Sequence, residues 1–346
     1  MNKSLNIDKP IFLIGFPRSG TTLLNLILSS HSLIELKNND DILMVFHDKS
    51  LNPFKKIDDL VFSNLKMEDS RVDFNRFIKT ISKSYFEKLR KNLPIEGWDL
   101  FKTLLNYGSN GKPFWGSKTH HYMWFYNIII EKYSKSNFII LIRDPRAVIL
   151  SNYIKHITSL NNHFANTHNY DLNLINYDKA RSYFIKLAHH WVAWHKKVIN
   201  IVQNSKYQNI HYIKYEDLVL EPEKNLKILF TQLNIKYEND IINSDKRFHH
   251  PIANNESITY AHSNLRKPLN ISMIDKWKHI EKKLILIIEH ICKDVMEYYK
   301  YECTAQISLG KSLYFNNYLD YKYKYQSDKS DSIESIIISS NNYCSV

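Results

Sequence analysis

The sequence predicts an α/β fold with a mostly parallel central sheet flanked by helices, and three observations carry the prediction. Two continuous apolar runs, Pro10-Ile-Phe-Leu-Ile14 and Asn137-Phe-Ile-Ile-Leu-Ile142, have the composition of strands buried on both faces. Each leads through a turn into residues with helical periodicity, so strands alternate with helices. The chain has 346 residues, 44% of them hydrophobic and 13% aromatic, which is enough to bury a large core and excludes wholesale disorder.

The elements follow in order. After the first strand come Gly15-Phe-Pro-Arg-Ser-Gly-Thr-Thr22 and then Leu23-Leu-Asn-Leu-Ile-Leu-Ser29, a helix starting at Thr21 or Thr22. Asn38-Asn-Asp-Asp41 reads as a turn. The stretch 42–105 carries mixed helical periodicity, with Phe74, Phe77, Ile78, Ile81 and Tyr85 at helical spacing. It predicts a helical insertion over about 42–115, closed by a loop from Gly108 to Gly116. The second strand ends in Arg143-Asp-Pro-Arg146, where Asp144 suits an N-cap and Pro145 a first helical residue. A long helix covers roughly 180–203, with Trp191 and Trp194 on its apolar side. Ile210-His-Tyr-Ile213 is a third strand, 223–233 a helix entered at Pro222, and 272–301 mostly helical. Beyond Thr304 the chain turns polar, so one domain over 1–304 and a loosely held tail over 305–346 are expected.

The formal charge of +12 points to an anionic partner: nucleic acid, acidic lipid, or a phosphorylated or sulfated small molecule. It is equally the signature of a Lys-rich, solvated surface. No apolar run approaches the roughly 18 residues that span a bilayer. The first residues lack a signal-peptide pattern, and Cys292, Cys303 and Cys344 make neither a disulfide framework nor a zinc spacing. A cytoplasmic protein is expected.

Two of the seven glycines, Gly15 and Gly20, stand in one short loop. The spacing Gly15-x-x-x-x-Gly20-Thr-Thr is that of a P-loop, between a strand and a helix as the motif requires. Backbone N–H groups and a helix N-terminus converge there and favour a phosphate. The usual Lys is replaced by Thr21, and a basic residue stands inside the loop at Arg18. The missing Lys argues against an ATPase or simple kinase, because that Lys reaches the β- and γ-phosphates.

The segment Ile14-Gly-Phe-Pro-Arg-Ser-Gly-Thr-Thr-Leu-Leu24 resembles the 5′-phosphosulfate loop of sulfotransferases that use PAPS, 3′-phosphoadenylyl sulfate. Leu141-Ile-Arg-Asp-Pro-Arg-Ala-Val-Ile-Leu-Ser151 resembles their 3′-phosphate motif, an Arg after a strand and a Ser eight residues later. The resemblance spans about 10–301 and lies closest to the tyrosylprotein-sulfotransferase-like bacterial group. It implies a P-loop-type three-layer sandwich and sulfuryl transfer from PAPS to a hydroxyl or amine, with PAP as product and no metal. It also implies that Arg18, Ser19, Gly20, Thr21 and Thr22 hold the 5′ end and Arg143 and Ser151 the 3′-phosphate, with Lys155 beside them. Tyr215-Glu-Asp-Leu218 resembles the segment whose Tyr lies against adenine; its alternative is an ordinary amphipathic core tyrosine. Lys267-Pro-Leu-Asn270 and Asp275-Lys-Trp277 resemble the C-terminal cofactor-covering segment, with Lys276 a further phosphate contact or a solvated lysine.

Sulfuryl transfer is in-line displacement, served mainly by positioning and fixed positive charge. Arg18 is placed to stabilise the leaving phosphate, and Lys118 in Trp115-Gly-Ser-Lys-Thr-His-His121 resembles a second family cation. The acceptor must lose a proton to a base. Lys118-Thr-His120 resembles the Lys-Thr-His of cytosolic sulfotransferases, which favours His120; His121 and Asp40 are its rivals. His189, His190, His195, His249 and His250 lack metal-site spacing and read as helix-surface or core histidines. Two other functions fit parts of the pattern: a P-loop small-molecule kinase or nucleotidase, with Asp144 as its metal-holding carboxylate, or a non-catalytic polyanion binder on the basic surface. The acceptor class stays open among small molecules, carbohydrates, lipids and peptides. Nucleic acid is not expected as a partner. The acceptor pocket is expected to be lined by 42–115 and 156–178.

Overall fold

Ile11–Gly15 forms β1, buried along its whole length as an apolar run between two layers should be. The computed structural model describes residues 10–38, 112–123, 126–160, 171–206, 209–243 and 268–304. The chain divides into two units, Met1–Tyr299 and Lys300–Val346, and every element below belongs to the first.

Five parallel strands make one sheet: β1, β2 (Ile34–Asn38), β3 (Phe114–Lys118), β4 (Asn137–Ile142) and β5 (Ile210–Lys214), in the order β2-β3-β1-β4-β5. Register pairs Leu13 and Asn38 with Lys118, Gly15 with Leu141, and Ile142 with Lys214. All the strands therefore end at one edge of the sheet.

Side-chain alternation along the strands divides the core. Ile11, Leu13, Ile139, Leu141 and Ile213 form one cluster with α1 (Thr21–Ser29), α5 (Tyr215–Leu220) and α6 (Pro222–Gln232), the intervening helices α2 to α4 being given below. On the other face Phe12 and Phe138 stack 5.4 Å apart, with Tyr122 and Tyr126 closing over them. The remaining helices are α2 (Tyr126–Lys132), α3 (Pro145–Leu160), α4 (Tyr177–Asn204), α7 (Ser272–Asp275) and α8 (Lys282–Tyr298), with a 3₁₀ turn over Lys276–His279. α4 packs on α3 and α8. The architecture is the expected α/β sandwich, and no helix among the described residues is long and apolar enough to cross a membrane.

Helix starts follow the local chemistry. Asp144 Oδ1 accepts the Arg146 N–H at 2.8 Å ahead of α3, and Asn176 caps α4 through Lys179 N–H at 3.1 Å. α1 is different: Gly20 stands at its N-cap, no side chain caps it, and its first turn has no acidic residue. Its N-terminal donors keep their pull on an anion.

One expectation needs correction. The loop expected over Gly108–Gly116 runs into strand β3, which begins at Phe114. Gly116 belongs to that strand because a Cβ there would lie 1.8 Å from the Ile11 carbonyl oxygen. The stretch 272–301 is mostly helical as expected, made of α7, the 3₁₀ turn and α8. The rest of the insertion and the tail 305–346 lie outside the described residues.

Candidate active site at the strand ends

The loop after β1 is shaped by two residues in the left-handed region, Arg18 at φ 71° and Gly20 at φ 96°. A positive φ at a non-glycine residue holds strain that the surroundings must keep in place. Three contacts do so. Arg18 Nε donates to Ser151 Oγ at 3.1 Å, Arg143 Nη1 donates to the Arg18 carbonyl at 3.0 Å, and Asn152 Nδ2 donates to the Pro17 carbonyl at 3.2 Å. The Gly15–Thr22 loop and the Arg143–Ser151 motif are thus one hydrogen-bonded unit.

Arg143 begins where β4 ends, and its guanidinium lies over the Tyr215 ring, 4.1 Å from the centroid. Tyr215, the first residue of α5, packs in turn on Gly20, where a Cβ would meet its ring at 2.6 Å. Burial pushes the Tyr215 hydroxyl pKa up, with Arg143 and Arg18 pulling the other way. The remaining Arg143 amino group donates to Met273 O at 2.8 Å, and Nε is buried without a hydrogen-bond partner. Among the described residues no carboxylate lies within ion-pair distance of Arg143. Ser19 is fully buried and its hydroxyl also lacks a partner. Buried donors left unmade are expensive, and a bound partner that accepts hydrogen bonds would relieve that cost.

The carboxylate of Asp144 faces away from this use. It receives Arg146 through Nε at 3.0 Å and Nη2 at 2.6 Å, while Asp144 N–H donates to Glu216 at 3.0 Å. Lys118 ends β3 and is buried, between Leu13 and Asn38 in register. Thr119 N–H donates to Leu13 O at 3.1 Å and extends the pairing. His120 opens the next 3₁₀ turn, its carbonyl accepting from Trp194 Nε1 at 3.4 Å. Trp194 also meets Phe16 of the loop edge to face. Lys155 is exposed one turn beyond Ser151, and Lys276 is half-buried with its amine pKa lowered by burial. Thr21 and Thr22 open α1. Asp40 and the side chain of His121 lie outside the described residues.

The sequence alone assigns no site role to Asn152, the Met273 carbonyl, Trp194 or Glu289, nor to Arg146, although Arg146 stands inside the Arg143-Asp-Pro-Arg146 motif. His195 is buried among Phe16, Trp191 and Trp194, and burial lowers its pKa to about 3, so it is a neutral core histidine.

Fold and geometry together define a parallel α/β protein whose Gly15–Thr22 loop and Arg143–Ser151 turn meet at the carboxyl ends of the strands, beside the point where strand order reverses about β1. A profile described as the sulfotransferase family matches residues 10–239, and the chain belongs to that family. The sulfotransferase domain from the curacin biosynthetic pathway has a similar fold: TM-score 0.52, 22% identity, 85% of this chain and 98% of that one covered. The sulfotransferase domain from the Synechococcus PCC 7002 olefin synthase matches at TM-score 0.52, 18% identity, and 85% and 95% coverage. A protein of Aquifex aeolicus (strain VF5), described as uncharacterized, is 24% identical over 283 residues. That match takes in 81% of this chain, and the chain spans 32% of the length of that relative.

Proposed function

We propose that this chain transfers the sulfuryl group of PAPS to a hydroxyl or amine acceptor by in-line displacement. One observation carries the reading: Arg18 donates to Ser151 while Arg143 donates to the Arg18 carbonyl, so two anion cradles stand side by side. A nucleotide phosphorylated at both its 5′ and 3′ positions needs that pairing. The Ser19 hydroxyl and Arg143 Nε, unpartnered among the described residues, fit such an anion, and Tyr215, which carries Arg143 on its ring, is assigned beside the adenine.

When bound, PAPS supplies a sulfuryl group already activated by its bond to phosphate. The loop amides of Ser19 to Thr22 and the α1 N-terminus hold the 5′ end. Arg143 and Ser151, with Lys155 and Lys276 near them, hold the 3′-phosphate. Arg18 neutralises charge on the leaving phosphate, and Lys118 on the group in transit. His120 takes the acceptor proton as sulfur bonds to the acceptor oxygen or nitrogen and the S–O bond to the 5′-phosphate breaks, releasing PAP and the sulfated acceptor. His121 and Asp40 are the alternative bases. No step requires a metal. The acceptor is a carbohydrate, lipid, peptide or other small molecule, and the working unit is 1–304, acting in the cytoplasm.

The test is thermal. PAP without magnesium should raise the melting temperature, by about 2.7 kcal/mol of stabilisation at a hundredfold excess over Kd. Arg143→Ala should abolish the gain. Stabilisation by magnesium-ATP and none by PAP would transfer the chain to the kinase reading.

A further inference from the structure

The 3′-phosphate motif contains a second arginine that the reaction does not use. Arg146 is 4% exposed and its guanidinium is held along its edge by two carboxylates from different parts of the fold. Asp144, in the β4–α3 turn, takes Nε and Nη2; Glu289, on α8, takes Nη1 at 2.6 Å. Trp277 lies on one face of the guanidinium, its ring centroid 3.8 Å from Cζ. A guanidinium is planar, and one pinned at its edge by two carboxylates is a fixed platform for a ring.

Trp277 belongs to the same segment as Met273, whose carbonyl accepts from Arg143. The two arginines of Arg143-Asp-Pro-Arg146 therefore grip one segment at two points, by a hydrogen bond at Met273 and by stacking at Trp277. Lys276 stands between those points. Arg143 divides its donors between that carbonyl and the anion cradle, so the segment and the cradle share a side chain.

We propose that Arg146 is a positioning residue that latches the 268–280 segment against the nucleotide site, by holding Trp277 on its guanidinium face. The inference rests on the nucleotide-binding reading above. Arg146 touches no reacting atom; it acts through Trp277 and the segment that carries Lys276 and the Met273 carbonyl. A tryptophan serving only as core filling would affect melting and leave nucleotide affinity alone.

The experiment compares full-length wild type, Trp277→Phe, Trp277→Leu and Arg146→Lys. PAP binding is measured by calorimetry, and hydrogen exchange of 268–280 is followed with and without PAP. Arg146→Lys keeps a charge for Asp144 and Glu289 and removes the planar face, while Trp277→Leu breaks the same contact without touching the buried charges. Trp277→Phe should bind PAP within about threefold of wild type. Trp277→Leu and Arg146→Lys should each bind at least tenfold more weakly and lose the PAP-induced protection of 268–280, while exchange in the strands is unchanged. The double variant should bind no more weakly than either single variant, as expected of two residues in one contact. Wild-type binding with Trp277→Leu and Arg146→Lys both within twofold of it overturns the latch and leaves the nucleotide reading standing. A wild-type protein that does not bind PAP overturns both.

Discussion

Gly20→Ala is the most discriminating single change in the site. Gly20 stands at φ 96°, and a Cβ there would lie 2.6 and 2.8 Å from Cδ2 and Cε2 of the Tyr215 ring. Carbon atoms pack at roughly 3.5–4.0 Å, so the ring must retreat by about 1 Å. An alanine in the left-handed region costs about 1–2 kcal/mol. Forcing a buried ring out of place costs about 1–3 kcal/mol more. The expected loss is then about 2–5 kcal/mol, a fall in melting temperature of roughly 3–7 °C for a chain of this size. The ring also carries Arg143 at 4.1 Å, so its retreat unseats the guanidinium from the Arg18 carbonyl. Affinity for PAP should drop by at least about tenfold, equivalent to about 1.4 kcal/mol. Calorimetric melting and PAP titration read the two effects separately. Leu226→Ala is the control: Leu226 is fully buried in the cluster under the sheet, so its loss of about 2–5 kcal/mol should leave PAP affinity unchanged. Gly20→Ala protein that melts within a degree of wild type and binds PAP equally well would refute the reasoning from the loop to Tyr215 to Arg143.

Two further outcomes are expected. His195 is held neutral by burial, its pKa near 3 against the ordinary 6.5, and His190 is lowered to about 4 in the same direction, by burial first and then by Lys186 and His189. The unfolded chain binds protons that the folded one refuses, so stability falls as pH drops below about 6.5, by up to about 1.4 kcal/mol per unit for each such group. His195→Phe should flatten this loss between pH 6.5 and 4.5 in urea unfolding, and an unchanged difference from wild type across that range would count against it. His120→Ala should lower kcat by about 10²–10⁴-fold with PAP affinity unchanged. If Asp40→Asn or His121→Ala shows that loss and His120→Ala does not, the base is reassigned.

The parts of this fold visible in the sequence were those whose signal is local. β1 and β4 are unbroken apolar runs, and the loop, the Asp144 cap and Pro145 are short-range patterns. β2 and β3 escaped because their reasons lie elsewhere in the chain. Glu35 makes β2 look polar, yet it is buried and paired with Lys37 at 2.7 Å and Lys112 at 3.3 Å. Gly116 makes β3 look like a loop, yet it is there because the β1 backbone passes too close for a side chain. The site divides the same way. Both phosphate motifs were legible one at a time, from loop spacing and from an arginine after a strand. What joins them was not: the acceptors for Arg143 and Asn152 are the backbone carbonyls of Arg18 and Pro17, and a carbonyl carries no residue identity.

The charge arrangement at the sheet edge bears on the choice between the sulfuryl and the kinase readings. A metal-dependent kinase needs a carboxylate available near a strand end. Asp144 is the residue in that position, and both of its oxygens are engaged by Arg146, which Glu289 holds from the other side. Releasing Asp144 to a metal would strip Arg146 of its bidentate partner inside a buried network, a change of the kind that costs about 3–5 kcal/mol. Three residues earlier Arg143 faces, among the described residues, a ring and two carbonyls and no carboxylate within ion-pair distance. The turn thus sequesters its negative charge and presents its positive one, next to a helix start without a capping carboxylate. A site so polarised favours a substrate that brings several negative charges and no cation, which is the charge pattern of a doubly phosphorylated adenosine carrying sulfate.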